Sequence, residues 1–261
     1  LVTWNISGGS VSQHAPESWS LEKNLEAVQL EVKRWGADIV ALQECPSGQG
    51  LEELLLTYDL VGAEKSHKGF VHLYVRKGVE AKRQRLDRGS SCVMGRVLLR
   101  GMEVDVVAAH LAPGESGVEE RQRQTRLVAR ACGGVAAVLM GDLNVRSEEV
   151  ENLCKIGGFG EATYSGKSWD PRKNQNPYDK DLRDYRGAGQ CFDRVFFSGG
   201  ACVQAFLVGQ GRVYAEGQPF SLSDHYGVLG FLDLHESYRA GGDSRGSGRC
   251  GERRGSLAGI R

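Results

Sequence analysis

Residues 135–144 read Val-Ala-Ala-Val-Leu-Met-Gly-Asp-Leu-Asn, an apolar run that ends in an acid and an amide. Such a run predicts a buried strand that stops near Gly141. Asp142 and Asn144 are two residues apart, so their side chains leave the same face if the strand continues that far. An aspartate or asparagine after a strand is more often a turn former than a catalyst, so the motif gains meaning only from the rest of the chain.

Other predicted strands also end in polar residues. Asn5 ends the first apolar run, Glu44 ends the second and His110 ends a third. The tripeptide Ser-Asp-His at 223–225 stands before the last strand. Burying acids, amides and imidazoles together is costly unless they have partners or a cation. The set therefore predicts a shared metal and acid-base site.

Asp224 and His225 are expected to have different partners, because neighbouring side chains of an extended chain point to opposite faces. His225 could pair with Asp193, since a histidine in a catalytic pair usually needs a carboxylate that fixes its tautomer and charge. His110 alone is also compatible with a core histidine, and Asn5 alone with a turn residue. The ordered set, rather than any single member, points to chemistry.

The order of the elements predicts an α/β fold in which sheet packs on sheet and helices lie outside. Strands are expected near residues 1–6, 38–44, 70–75, 93–99, 104–110, 135–140, 192–197, 203–208 and 226–234. The apolar stripe of residues 21–35, closed by Gly36, predicts an amphipathic helix. A second helix is expected to begin at Ser116, with a capping box to Glu119, and a third at Ser147.

Composition limits the partners of the chain. Lysine and arginine number 33, as do aspartate and glutamate, so the formal net charge is zero. A neutral chain lacks the field that draws a whole protein surface to nucleic acid or to a membrane. No apolar run approaches the roughly 20 residues of a membrane-spanning helix, so no membrane partner is expected. The seven scattered cysteines indicate a reducing compartment, and we expect an intracellular protein of the nucleus or cytoplasm.

Six motifs resemble, in order, those of the endonuclease/exonuclease/phosphatase superfamily of metal-dependent phosphoesterases. They are Thr-Trp-Asn-Ile at 3–6, Leu-Gln-Glu at 42–44, Ala-His-Leu at 109–111, Gly-Asp-Leu-Asn at 141–144, Phe-Asp-Arg-Val at 192–195 and Ser-Asp-His at 223–225. The resemblance spans residues 1–234. It implies a four-layer α/β sandwich of two packed, mostly antiparallel β-sheets flanked by helices, and the hydrolysis of a phosphate ester.

The resemblance also implies a cofactor, Mg²⁺ or Mn²⁺. Glu44 would be its principal ligand, with Asn5 beside it and Asp224 contributing. Oxygen ligands of this kind suit Mg²⁺, which demands octahedral geometry and keeps several of its waters. The same family pattern assigns the metal to neutralising the ester oxygen.

Five residues would carry the acid-base chemistry that the resemblance implies. Asp142 would orient or deprotonate the attacking water. Asn144 and His110 would hydrogen-bond the phosphoryl oxygens as charge builds on them. His225, paired with Asp193, would be the second acid-base or stabilising group. The residues leave open whether Asp142 or the histidine pair takes the proton from the water.

The substrate is indicated by a likeness to the 5′-tyrosyl-DNA phosphodiesterase branch of the family. That likeness lies in Ser-Trp-Asp at 168–170 and Asp-Arg-Val-Phe-Phe at 193–197, so Trp169, Asp170 and Arg194 are expected to bind substrate. An indole on a polar loop can stack on a base or on an aromatic leaving group, although pinning the loop to the core is as common a use. The implied partner is nucleic acid, a DNA end with a blocked 5′ phosphate as in DNA repair, with RNA left open.

Other activities of the same fold also remain open. Gly-Asp-Leu-Asn-Val-Arg at 141–146 resembles inositol polyphosphate 5-phosphatases, but Met140 stands where those enzymes have an aromatic residue, and residues 191–194 lack their Pro-x-Trp-Cys-Asp-Arg string. Endonuclease, deadenylase and non-catalytic scaffold functions are further alternatives. The sequence does not indicate an oligomeric state.

The composition changes near the end of the chain. Residues 237–261 are rich in glycine, serine and arginine, with six arginines against one aspartate and one glutamate. Such a segment cannot bury enough apolar surface to offset the entropy of an ordered chain. We therefore expect a catalytic domain at 1–236 and a flexible tail at 237–261.

Overall fold

The computed structural model describes residues 1–9, 11–12, 14–86, 89–132, 135–171, 174, 189–199 and 201–234. The expected tail at 237–261 and most of the polar segment at 165–190 lie outside these residues. Of the helices that the structure describes, none has the length and apolar character of a membrane span.

The described residues form fourteen strands and four α-helices. The strands are β1 (Val2–Asn5), β2 (Ile39–Cys45), β3 (Tyr58–Lys65), β4 (Phe70–Arg76), β5 (Ala81–Gln84), β6 (Cys92–Leu99), β7 (Met102–His110), β8 (Ala136–Asp142), β9 (Gly160–Ala162), β10 (Asp193–Ser198), β11 (Ala201–Val208), β12 (Val213–Ala215), β13 (Gln218–Phe220) and β14 (Gly227–Leu234). The helices are α1 (Leu21–Trp35), α2 (Glu52–Leu55), α3 (Val118–Ala131) and α4 (Val150–Gly157). Short 3₁₀ turns cover Ser7–Gly9 and Glu115–Gly117.

Two six-stranded sheets form the centre of the molecule. The first has the order β11-β14-β1-β2-β4-β3 and the second β5-β6-β7-β8-β10-β9, while β12 and β13 form a separate ribbon. Among the described strands, β1–β2 and β7–β8 are the parallel pairs and the other pairs are antiparallel. The expected fold of two mostly antiparallel sheets is confirmed.

The main core lies between the two sheets. One apolar cluster joins Val71 and Leu73 of β4 to Val106 and Ala108 of β7, and thus contains residues of both sheets. The outer face of the first sheet packs on α1 and α2, and that of the second packs on α3 and α4. This gives four layers, because each sheet buries one face on the other sheet and one face on helices.

The helices agree with the sequence only in part. The prediction of α1 is confirmed, with the Ser20 hydroxyl accepting the backbone N–H of Lys23 and Gly36 in a left-handed conformation that ends the helix. The capping box predicted at Ser116 is wrong, because this residue lies in a 3₁₀ turn and α3 begins at Val118 without a side-chain cap.

The helix predicted to begin at Ser147, which is α4, also begins later than predicted. It starts at Val150 rather than after Ser147, and Glu149 precedes it. The Glu149 carboxylate accepts two hydrogen bonds, at 2.8 and 2.7 Å, from the buried Arg121. The bidentate contact ties α3 to the start of α4.

The strand pairing gathers one end of several strands at one edge of the sandwich. The parallel pair β7–β8 sets His110 beside Asp142, and the antiparallel partner β10 begins with Asp193 opposite Asp142. In the other sheet the parallel pair β1–β2 ends with Asn5 beside Gln43. The polar residues that follow these strands therefore meet at the same edge.

Candidate active site

Asn5 connects the two sheets at this edge. Its amide nitrogen Nδ2 donates to Glu44 Oε1 at 3.1 Å and to Asp142 Oδ2 at 2.9 Å. Its Oδ1 accepts the backbone N–H of Ser7 at 2.9 Å, which fixes the amide with its nitrogen towards the carboxylates. Because Glu44 belongs to the first sheet and Asp142 to the second, this one amide sets the distance between the two acids.

Glu44 lies in a β-bulge. The register of β2 against β4 shifts between Leu42 and Cys45, and Glu44 has a φ of 56°, which is uncommon for a residue other than glycine. Gly69 of the facing hairpin approaches so closely that a Cβ there would lie 2.6 Å from the carbonyl oxygen of Cys45. The bulge turns the Glu44 side chain towards the strand ends. Its Oε2 lies 2.5 Å from the Nζ atom of Lys68.

Asp142 is a buried carboxylate that the site keeps ionised. Its Oδ1 accepts the backbone N–H of Asn144 at 3.1 Å, and its Oδ2 lies 3.4 Å from His110 Nε2 and 3.9 Å from His225 Nε2. Burial raises the pKa of this carboxyl, but the hydrogen bond to His110, the charges of the two histidines and the Asn5 amide together lower the pKa far below its usual range. Asp142 is therefore an anion at neutral pH.

His225 is the cationic partner in the cluster. Its Nδ1 lies 2.7 Å from Asp193 Oδ2, and both side chains are buried. Burial lowers the pKa of this imidazole, but Asp193, Asp224 and Asp142 outweigh burial and raise the pKa to about 10. His225 is therefore an imidazolium cation at neutral pH, with Nε2 directed towards Asp142.

The backbone of His225 is fixed from both sides. Its carbonyl oxygen accepts the indole N–H of Trp4 at 3.0 Å, and its N–H donates to the hydroxyl of Ser223 at 3.1 Å. The same hydroxyl donates to the carbonyl oxygen of Asn5 at 2.6 Å. The residues before β14 are thus held directly against the end of β1.

His110 has partners that the sequence did not indicate. Its Nδ1 lies 3.3 Å from the hydroxyl of Ser66, and its ring centroid lies 4.0 Å from that of His67. Burial, the nearby His110 and Lys68 lower the pKa of His67 to about 4, although Asp142 opposes them, so His67 is neutral at physiological pH. These residues lie in the turn between β3 and β4, a connection without a motif, so no pattern in the sequence singled them out.

Asp224 and Asn144 lie at the rim of this cluster. The hydroxyl of Ser7 donates to Asp224 Oδ1, and Ser7 is linked through its backbone to Asn5. The Asn144 amide donates to the carbonyl oxygen of Leu111 at 3.1 Å, and its φ of 51° places it in a left-handed turn. The structure therefore brings both residues to the site, each already engaged with the surrounding loops.

The Trp169 segment runs beside His225. Trp169 forms an isolated β-bridge with His225, and the carbonyl oxygen of Ser168 accepts the N–H of Tyr226 at 2.7 Å. The indole is half-buried, with its ring centroid 5.6 Å from that of Phe192. Asp170 is buried next to it. Trp169 and Asp170, two of the three expected substrate residues, therefore lie at the edge of the site, on a segment that the structure anchors by its backbone.

Arg194 points away from the cluster, which corrects its expected role in substrate binding. Successive side chains of β10 face opposite sides, so Arg194 leaves the face opposite to that of Asp193. Its guanidinium is buried, donates to the carbonyl oxygen of Val145 at 3.2 Å and forms an ion pair with Glu161. We assign Arg194 to holding β9 and the segment after β8 in place.

The donors at this edge fit a hard divalent cation. Among the described residues, no group of three or more His, Cys, Asp or Glu side chains is placed so that it could hold a metal ion by itself. Carboxylate and amide oxygens are nevertheless the ligands that Mg²⁺ takes together with retained waters. Glu44 Oε2, in a side chain only 8% exposed, already lies against a cationic group, so this position accepts positive charge.

The comparisons with known proteins concern the family and the fold of the chain. The model of the Endonuclease/Exonuclease/phosphatase family matches residues 2–225. A search of curated proteins finds no match.

Solved structures share the fold at low sequence identity. Truncated TDP2 from Caenorhabditis elegans superposes with a TM-score of 0.66 and 24% identity, over 87% of this chain and 94% of that one. TDP2 from D. rerio, complexed with a single-strand DNA product, superposes with a TM-score of 0.67 and 17% identity, over 89% of this chain and 98% of that one. A variant of beta toxin from Staphylococcus aureus with bound magnesium ions superposes with a TM-score of 0.64 and 16% identity, over 88% of this chain and 98% of that one.

These likenesses are in fold alone, whereas the family model covers most of the chain and includes every residue of the cluster described above. The chain belongs to the endonuclease/exonuclease/phosphatase family of phosphoric ester hydrolases.

Proposed function

We propose that this enzyme hydrolyses phosphodiesters with bound Mg²⁺ or Mn²⁺ and acts on nucleic-acid ends, above all on DNA whose 5′ phosphate is blocked by an aromatic adduct such as tyrosine. One observation carries the proposal. Asn5, Glu44, Asp142 and His225, which are far apart in the chain, form one buried cluster that offers a cation position, an anion and a cationic donor.

Glu44 would hold the metal, with Asp224 contributing a carboxylate oxygen. The expected role of Asn5 as a ligand is revised, because its amide nitrogen faces Glu44 and its oxygen accepts the N–H of Ser7, so Asn5 would position the Glu44 carboxylate. The metal would supply positive charge to the phosphoryl group and to the ester oxygen that leaves. The protein holds the Glu44 carboxylate ready through the Asn5 amide and the bulge of β2.

Asp142 and His225, whose Oδ2 and Nε2 atoms lie 3.9 Å apart, would carry the proton chemistry together. Asp142 is ionised, so its oxygens can accept a hydrogen bond from the attacking water and orient it towards phosphorus. Its low pKa makes it a better orienting group than a strong base. His225 is protonated, and its Nε2–H can donate to an oxygen that gains charge in the transition state. His110 Nε2 lies 3.4 Å from Asp142 Oδ2 and would hydrogen-bond a further phosphoryl oxygen.

The substrate class is inferred from the position of Trp169. Its backbone pairs with that of His225, so the half-buried indole lies at the edge of the cluster, where an aromatic adduct or a base can stack on it. The fold is similar to that of TDP2, and one of those structures contains a DNA product. In this proposal residues 1–236 are the catalytic domain, the Arg-rich tail at 237–261 adds salt-sensitive affinity for DNA, and the protein acts inside the cell in DNA repair.

A comparison of substrates tests this function. A 5′-tyrosyl oligonucleotide, an abasic duplex, a poly(A) RNA and an inositol phosphate are each incubated with the protein in Mg²⁺ or Mn²⁺. We expect the tyrosyl oligonucleotide to have the highest kcat/KM and chelator to stop all turnover. If the tyrosyl substrate is the poorest of the four, the proposed substrate is wrong, while hydrolysis of another phosphoester identifies the correct one.

A tryptophan variant tests the stacking role of the indole. Trp169→Ala is expected to raise KM for the tyrosyl oligonucleotide by about tenfold, and Trp169→Phe by much less, because an aromatic ring retains stacking. Tyr214→Ala is the matched control, since this aromatic residue is 71% exposed on the separate ribbon. Equal KM values for both tryptophan variants would argue against stacking.

A further inference from the structure

The positive charge beside the Glu44 carboxylate belongs to Lys68, whose side chain can move away into solvent. Glu44 Oε1 accepts the Asn5 amide, and Oε2 lies 2.5 Å from the ammonium of Lys68. The Glu44 side chain is only 8% exposed, whereas that of Lys68 is 44% exposed. A lysine carries its charge on a long, flexible stem, so its ammonium can exchange a protein carboxylate for water.

The turn before β4 holds Lys68 at this carboxylate. The backbone N–H of Ser66 donates to the carbonyl oxygen of Gly69 at 3.0 Å. The hydroxyl of Ser66 donates to the carbonyl oxygen of Lys68 at 2.9 Å. Gly69 has a φ of 67°, and a Cβ there would lie 3.1 Å from the Cα of Glu44. The turn therefore packs directly on the Glu44 backbone, which keeps the lysine close to the carboxylate.

We propose that Lys68 is a tethered counter-ion that competes with the divalent metal for Glu44. The inference rests on the proposed role of Glu44 as a metal ligand. A metal and an ammonium cannot both occupy the space in front of Oε2, and their like charges repel each other. Metal binding is therefore an exchange, in which the ammonium of Lys68 moves to solvent as the ion takes its place.

The exchange predicts that the lysine weakens metal binding. Lys68→Met keeps the length of the side chain and removes the charge, so the metal no longer displaces a cation. We expect this variant to bind Mn²⁺ about tenfold more tightly than the wild type. Lys68→Arg keeps the charge and is expected to bind Mn²⁺ with an affinity near that of the wild type.

Direct titration of the full chain with Mn²⁺ measures this effect without substrate, because the electron paramagnetic resonance signal of free Mn²⁺ reports the bound fraction. Lys65→Met is the matched control, since Lys65 is an exposed lysine at the end of β3 in the same hairpin. A second background isolates the mechanism. In Glu44→Gln, the added Lys68→Met substitution is expected to leave the Mn²⁺ affinity unchanged.

Thermal melting in chelator provides a second readout. Without metal, Lys68→Met leaves the buried Glu44 carboxylate without its countercharge, so it is expected to melt at a lower temperature than the wild type and to regain more stability when Mn²⁺ is added. Unchanged or weaker Mn²⁺ binding in Lys68→Met overturns the inference. The same tightening in the Glu44→Gln background also overturns it.

Failure of this inference can be told apart from failure of the proposed function. If none of the four phosphoesters is hydrolysed but the titrations behave as expected, the competition stands and the proposed activity is wrong. If Glu44→Gln binds Mn²⁺ as well as the wild type does, Glu44 is not the ligand, and both the competition and the metal assignment are wrong.

Discussion

The two sides of the cluster are built in different ways. The histidine side, formed by His110, Asp142, Asp193 and His225, places its charged groups against buried partners, since each carboxylate lies against a buried imidazole. The glutamate side, formed by Glu44, Lys68 and Gly69, depends on a bulge, a tight turn and a half-exposed lysine.

This difference indicates how the work of the site is divided. Charges that are balanced by buried partners are costly to rearrange, so the histidine side keeps one protonation pattern and one geometry. A carboxylate whose partner is half in water can change that partner at small cost. The histidine side is therefore suited to fixed proton chemistry, and the glutamate side to a cation that enters and leaves.

The largest expected effect is on the histidine side. Asp142→Asn and His225→Ala are each expected to lower kcat/KM for a phosphodiester by at least about a hundredfold, because they remove the orienting anion and the cationic donor. Steady-state kinetics at saturating metal measure the loss. Asp59→Asn and His14→Ala, which change exposed residues outside the cluster, are the controls. Activity that survives both cluster substitutions would exclude this site as the catalytic centre.

Glu44→Gln tests the glutamate side. An amide keeps the shape and removes the charge that is proposed to hold the metal, so we expect about thirtyfold lower activity at limiting Mg²⁺ and a smaller loss as Mg²⁺ is raised. The metal dependence of kcat/KM distinguishes this from a purely structural effect. A loss that is the same at every metal concentration would mean that Glu44 does not control metal binding.

Asp193→Asn tests how the histidine side sets its protonation pattern. Asp193 is the first of the three carboxylates that raise the pKa of His225 to about 10, so its loss lowers that pKa and leaves less of the protonated donor near neutral pH. We expect about tenfold lower activity near pH 8 and a smaller loss near pH 6. In a pH profile, the alkaline limb moves to lower pH. An alkaline limb that stays at the same pH would mean that Asp193 does not control the titration of His225.

The same pair makes a prediction for stability. The folded pKa of His225 lies above the ordinary histidine value of 6.5, so the stabilisation from this shift is complete below about pH 6.5 and is lost as the pH rises to about 10. The difference in the free energy of unfolding between wild type and Asp193→Asn should therefore narrow over this range, as measured by urea denaturation.

Arg194→Met is expected to have the smallest effect on activity, within about threefold of the wild type, because Arg194 faces away from both sides of the cluster. The variant leaves the mostly buried Glu161 carboxylate without its partner, which costs about 3 kcal/mol of stability. Kinetics well below the melting temperature, together with a melting curve, separate the two effects. A large rise in KM without a change in melting temperature would restore Arg194 as a substrate contact.

Much of the histidine side could be predicted from the sequence. Each of its residues stands at the end or the start of an apolar run. Asp142, for example, ends β8, and Asp193 begins β10. Parallel and antiparallel neighbours in one sheet bring such positions together, so linear spacing contains the necessary information. Hydrophobic patterning also predicted α1 and the two packed sheets.

The features that patterning could not predict depend on local backbone geometry. The bulge at Glu44 and the turn at Lys68 arise from how two strands meet, and nothing in the spacing of apolar residues records a shift of register. Arg194 belongs to a recognised motif, yet its side chain serves an ion pair on the other face of the sheet. The start of α3 was misplaced because Ser116 forms a 3₁₀ turn, which a three-residue capping signal does not distinguish from a helix start.

The hydrogen bond between Trp4 and the carbonyl of His225 has a consequence for how the enzyme is made, since the two residues are 221 positions apart. During synthesis on the ribosome, the end of β1 waits for a partner that emerges only after nearly the whole described chain has been translated. A chain stopped before that point lacks the cationic imidazole of His225 and also β14, the antiparallel neighbour of β1. Contacts between such distant residues also slow folding. The cluster of the nascent chain is therefore incomplete until His225 has been added.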